Sequence, residues 1–149
     1  MSKDPIEMVD ISDKATVYRS ATAIGKIKLK KSTITTIKDA GIKKGDPLLV
    51  GEIAAILAVK KTPELIPLCH NIPIGQVDVE YELAENNIEA RCTVVTNAQT
   101  GVEMEALTGV TVALLNIWDM TKYLEKDENG QYPDAEITDI RVIDKRKGE

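Results

Sequence analysis

Residues 100–122, TGVEMEALTGVTVALLNIWDMTK, read as one long helix against which the neighbouring segments are placed. Val102, Ala106, Val110, Ala113, Leu114 and Ile117 recur at steps of three and four, so one face is apolar along its length. Thr100 followed by Glu103 has capping-box spacing, which predicts the helix start there. Two polar pairs interrupt the pattern, Glu103 with Glu105 at the start and Asp119 with Lys122 at the end. Asp119 and Lys122 are three apart and can pair on one turn. Glu103 and Glu105 are two apart, so they point about 200° from one another and face different surroundings. From Glu105 to Asp119 is a rise of about 21 Å, so one straight helix cannot bring both ends to one reacting atom. Ordinary helix chemistry gives the same residues another reading, because first-turn acids complement the dipole and an Asp–Lys pair is common on a surface.

On the N-terminal side, residues 76–83 alternate Val77, Val79, Tyr81 and Leu83 with polar side chains. Ile88, Ala90, Cys92 and Val94 alternate in the same way, and Asn86-Asn87 separates the two runs, which predicts a hairpin. Between residues 16 and 30, Ile27 and Leu29 alternate with Lys26, Lys28 and Lys30, the period of a strand with one wet face. Arg19 lies in this segment, as a solvated strand position or as an anion contact. Ser32 is placed to cap a short helix that stops at Gly41. Asp46 as N-cap and Pro47 at the first helical position open a second helix running to about Lys61. Its apolar positions Leu49, Ile53, Ile56 and Leu57 hold the helical period. Lys43, Lys44 and Gly45 precede it, and a helix N-terminus favours anions. On the C-terminal side, a polar loop leads to a last strand near residues 136–143. Its alternation slips between Ile137 and Ile140, as at a bulge.

Pro63, Pro67 and Pro73 punctuate residues 62–75 and forbid a continuous helix. This segment holds the only histidine, His70, either a structural ring or a group that meets a ligand. Cys69 beside it should point to the opposite side of an extended chain. Residues 1–15 read as an extended arm, mobile unless something pins it. The order is strand, two helices, hairpin, long helix, strand. It predicts a single α+β domain over residues 1–149, ferredoxin-like, with an antiparallel sheet and helices packed on one face.

The 149 residues contain no Phe and one Trp, so the core is aliphatic and base-stacking platforms are disfavoured. A net charge of −5 argues against a nucleic-acid binder, while leaving local Lys clusters free to hold a small anion. Two cysteines without metal spacing, and the lack of a long apolar run, point to a reduced, cytoplasmic protein with no membrane span and no metal centre.

Five stretches closely resemble the molybdenum cofactor biosynthesis protein C (MoaC) family, the cyclic pyranopterin monophosphate synthases. They are MVDIS at 8–12, KKGD at 43–46, LIPLCHNIPI at 65–74, TGVEMEALTGVTVALLNIWDM at 100–120, and Thr121-Lys122. The resemblance covers nearly the whole chain. It implies a ferredoxin-like subunit in a homohexamer, a trimer of dimers with active sites at subunit interfaces. The implied lyase reaction takes cyclised dihydro-GTP, the product of a radical SAM partner enzyme, to cyclic pyranopterin monophosphate, with release of pyrophosphate. The family's functional positions fall on Lys44, His70, Glu103, Glu105, Asp119, Lys122 and Lys145, with Lys147 the other candidate for the last. Asp119, Lys122 and Lys44 are then the expected catalytic residues. His70, Glu103, Glu105, Lys145 and Arg19 are the expected substrate-binding set. No cofactor is required, and Mg²⁺ can accompany the substrate phosphates. Two readings from other classes compete. One is a regulatory oligomer that holds a nucleotide without turnover. The other is a metal-dependent phosphohydrolase using Glu103, Glu105 and Asp119. The length of the helix further suggests that each site draws Lys44 and Lys122 from different subunits.

Overall fold

A computed structural model describes residues 5–148. The elements are β1 (Val17–Lys28), α1 (Lys31–Lys38), α2 (Pro47–Lys60), α3 (Thr62–Leu65), β2 (Gln76–Leu83), β3 (Asn87–Ala98), α4 (Glu103–Glu125) and β4 (Glu136–Lys147). The strands form one sheet in the order β2-β3-β1-β4, with every neighbouring pair antiparallel. This is the α+β, ferredoxin-like arrangement that the element order predicts.

The hairpin forms as its alternation requires, with Val77 opposite Val94 and Leu83 opposite Ile88. Its loop is Glu85-Asn86, closed by the Ala84 amide donating to the Asn87 carbonyl, one residue before the predicted Asn pair. The inward residues of β1 and β3, among them Ala21, Ala23, Ile27, Ile88, Ala90 and Cys92, are fully buried beneath α4. The last strand carries the predicted irregularity. Its register against β1 shifts between Ile24 and Lys26, where Asp139 takes a φ of 58°, and again between Thr22 and Ala23.

Helix α4 buries Val102, Ala106, Val110, Ala113, Leu114 and Ile117, the stripe read from the sequence. Its close seat depends on Gly109. A Cβ there would stand 2.8 Å from both Cys92 Sγ and Val59 Cγ2, closer than carbon atoms tolerate.

Three local expectations are corrected. The helix does not start with a Thr100–Glu103 capping box. Val102 is its N-cap, with no side-chain cap, because the Glu103 carboxylate turns to Lys145 instead. Helix α1 is not capped by Ser32, which lies within its first turn. The start of α1 is instead tied to α4, where the buried Glu125 carboxylate accepts from the Lys30 amide at 3.0 Å and from the Thr33 hydroxyl. The left-handed residue after α1 is Ala40 (φ 56°), not Gly41.

The face that α2 buries also differs from the expected one. Asp46 and Pro47 start α2 as predicted, with the Asp46 carboxylate accepting from the Leu48 and Leu49 amides. Yet Leu49, Ile53 and Leu57 are about half exposed, while Gly51, Ala55, Ala58 and Val59 face the core. Small residues let α2 lie close against α4, so its large side chains turn outward. Among the described residues no helix is long and apolar enough to cross a membrane.

Candidate functional site

The predicted polar residues gather into two clusters, one at each end of α4. At the C-terminal end, Asp119 is held between two lysines. Lys122 Nζ donates to Asp119 Oδ1 at 3.0 Å, and Lys44 Nζ donates to Oδ2 at 3.3 Å. Lys44 reaches it from a tight turn whose Gly45 amide donates to the Ile42 carbonyl. Gly45 closes that turn at φ 116°, a conformation that favours glycine. Ile42 anchors the turn in the core and Asp46 starts α2 immediately after it. The two lysines, first by hydrogen bonding from Lys122 and then from Lys44, hold the Asp119 carboxyl below the usual carboxylate range. In return, the hydrogen bond to Asp119 raises the Lys122 ammonium above an ordinary lysine. Beside them lies an open cavity of about 470 Å³ lined by Leu115, Trp118, Asp119, Lys122, Tyr132 and Ile137. Trp118 and Tyr132 meet edge to face across it, with ring centroids 5.4 Å apart.

At the N-terminal end, Leu68, Cys69 and His70 from the Pro-rich segment meet Thr100, Gly101, Glu103, Met104 and Glu105 around a cavity of about 170 Å³. Glu103 and Glu105 face different surroundings, as their spacing requires. Glu105 is buried, and burial, reinforced by the nearby Glu103 charge, pushes its carboxyl up. Glu103 Oε2 pairs with Lys145 Nζ at 3.4 Å, while its Oε1 is buried without a hydrogen-bond partner. Of the two candidate lysines in the tail, Lys145 is the one that pairs with this cluster.

His70 Nε2 donates to the Val9 carbonyl at 2.6 Å. This bond and the Gln99 side chain, which donates to the Ser12 and Lys14 carbonyls, pin the arm over residues 9–14. The arm is therefore held against the N-terminal cluster. Residues 1–4 of it lie outside the described residues. Burial raises the Cys69 thiol, so it is a poor nucleophile beside His70.

Arg19 is not a solvated strand position. It is 5% exposed, and its guanidinium donates to the Ala98 and Gln99 carbonyls at 3.1 and 3.5 Å, fixing the link from β3 to α4.

The helix separates the two clusters, as its length requires. The expectation that Lys44 and Lys122 come from different subunits is corrected, however, because both contact the same Asp119 within one chain. Within one chain, Asp119 lies about 21 Å along α4 from Glu105, so a phosphohydrolase metal could not be held by these carboxylates of a single subunit.

Fold and side chains together define a ferredoxin-like protein with a cation–carboxylate cluster at each end of its long helix. The chain belongs to the MoaC family, whose model matches residues 8–148. Among curated relatives, a probable cyclic pyranopterin monophosphate synthase of Thermococcus kodakarensis is 58% identical over 97% of this chain and 92% of its own length. A protein of the same description from Pyrococcus abyssi is 57% identical over 95% of this chain and 89% of its own. One from Methanothermobacter thermautotrophicus, described as a probable cyclic pyranopterin monophosphate synthase accessory protein, is 54% identical over 95% and 89% respectively.

Proposed function

We propose that this chain is a cyclic pyranopterin monophosphate synthase of molybdenum cofactor biosynthesis. In this reading it is a lyase that converts cyclised dihydro-GTP to cyclic pyranopterin monophosphate with release of pyrophosphate. The observation that carries the reading is the Lys44–Asp119–Lys122 cluster beside an open cavity. Two cations face solvent there in an otherwise acidic chain, which suits a triphosphate and the charge that develops on a departing pyrophosphate. Asp119 keeps Lys122 protonated, so Lys122 serves as a proton donor or as an electrostatic clamp, not as a free amine.

The second cluster supplies the remaining contacts. Glu105, raised by burial, can hold a proton that an exposed carboxylate would lose, and so can donate to a ring heteroatom. His70, Glu103 and Lys145 line or border that cavity as substrate contacts. Arg19 acts on this site through the backbone, by fixing the link from β3 to α4. No resident cofactor is required, and Mg²⁺ can enter with the phosphates.

Because the clusters lie at opposite ends of α4, each site is proposed to combine the lysine cluster of one subunit with the His70–Glu103–Glu105 cluster of another. The assembly is a cytoplasmic homohexamer, a trimer of dimers. The apolar residues that α2 turns outward, with Leu115 of α4, supply surface for such association. The deciding experiment incubates the purified protein with cyclised dihydro-GTP and measures pyrophosphate. Release at a steady rate supports the synthase. Tight binding without release points to a regulatory nucleotide-binding oligomer instead.

A further inference from the structure

We infer that Tyr123 is a positioning residue that sets the reach of Lys44 toward Asp119. Lys44 sits in the turn over residues 42–45. Its two flanks are fixed, by the buried Ile42 on one side and the Asp46 cap of α2 on the other. The crest of the turn needs a third point. Tyr123 supplies it, because the Lys43 amide donates to the Tyr123 hydroxyl at 3.0 Å. The Lys43 ammonium also lies 5.2 Å from the centre of the same ring, a cation–π distance. Tyr123 is one helical turn beyond Asp119 on α4, so the residue that receives Lys44 and the residue that holds its neighbour share one face. The tether therefore fixes backbone and target to the same rigid element. It costs little to lose in stability, because Tyr123 is more than one-third exposed and the Lys43 amide can turn to water.

The inference rests on Lys44 serving the proposed site, and its test is arranged to fail separately from that reading. The first readout is the titration of the Asp119 carboxyl, followed by carbon NMR and assigned by its loss in Asp119→Asn. Lys44 and Lys122 both lower this group. Tyr123→Phe keeps the ring and removes the hydroxyl. It is expected to shift the Asp119 titration upward, toward the position seen in Lys44→Ala, with the melting temperature close to that of the parent. In a Lys44→Ala background, Tyr123→Phe is expected to add nothing, since its effect passes through Lys44. The second readout is turnover, where Tyr123→Phe is expected to lower kcat/KM about three- to tenfold, the range for one lost neutral hydrogen bond. An unchanged Asp119 titration in Tyr123→Phe overturns the proposal. So does a further shift in the Lys44→Ala background. Absence of pyrophosphate release from the parent protein, with both titration results as expected, overturns the synthase reading and leaves the tether standing.

Discussion

Lys44 and Asp119 stand 75 residues apart in the chain and 3.3 Å apart in space. The turn before α2 delivers the lysine, and α4 presents the carboxylate with Lys122 already on its other oxygen. Two cations on one exposed carboxylate leave positive charge facing the cavity, and the consequences of that arrangement can be measured.

Lys122→Ala should reduce pyrophosphate release by about 10²–10⁴-fold, the span associated with a positioned proton-transfer group. Its side chain is exposed and makes a surface ion pair, so thermal unfolding should match that of the parent. Near-normal turnover would remove Lys122 from the catalytic set.

Asp119→Asn should shift the alkaline limb of the pH–rate profile to lower pH. The sign follows from both partners. The raised Lys122 ammonium favours the native pairing below its ordinary pKa of 10.5, and this is lost as pH rises through the raised value. The lowered Asp119 carboxyl favours the pairing above its ordinary 3.8, and this is lost as pH falls through the lowered value. With an amide in place of the carboxylate, Lys122 returns toward an ordinary amine and loses its proton earlier. Superimposable profiles for mutant and parent would sink the idea.

His70→Ala should raise KM or lower kcat about tenfold to a hundredfold, as for a lost hydrogen bond to a charged ligand. It should also free the N-terminal arm, whose Val9 carbonyl the ring holds. Limited proteolysis should then cut near residues 8–10 faster than in the parent, without global unfolding. A loss of several kcal/mol of stability would instead mark His70 as structural.

Mixing inactive variants tests whether sites are shared. Lys44→Ala and Lys122→Ala act on one Asp119 in one chain, so their mixed oligomers should remain largely inactive. Glu103→Gln mixed with Lys122→Ala should recover part of the activity, because the two clusters of a chain would then serve different sites. Recovery with the first pair but not the second would reverse this assignment.

Much of the fold was legible in the sequence because period reports burial on a single element. The stripe from Val102 to Ile117, the alternation of 77–83 and 88–94, and the Asp46–Pro47 start all depend on neighbours a few residues away, and all appear as expected. The slip between Ile137 and Ile140 foretold the bulge in β4 for the same reason. The site residues were named from motif resemblance, and nothing local in Glu103 or Lys145 foretold their pairing.

By itself, then, the sequence determined the main helices and strands, though not the short α3 or the reach of β4 to Lys147, as well as which polar side chains interrupt those patterns and that the two ends of α4 cannot meet. Only the tertiary structure decided the partners. It left α1 without the expected Ser32 cap, tied its start to the Glu125 carboxylate, and turned the small face of α2 inward. It buried Arg19 against the Ala98 and Gln99 carbonyls and brought Lys44 onto Asp119 beside Lys122. The physical reason is range. Helical and strand periods are set by local backbone geometry, whereas caps, ion pairs and buried faces depend on which distant surfaces pack closely enough to exclude water.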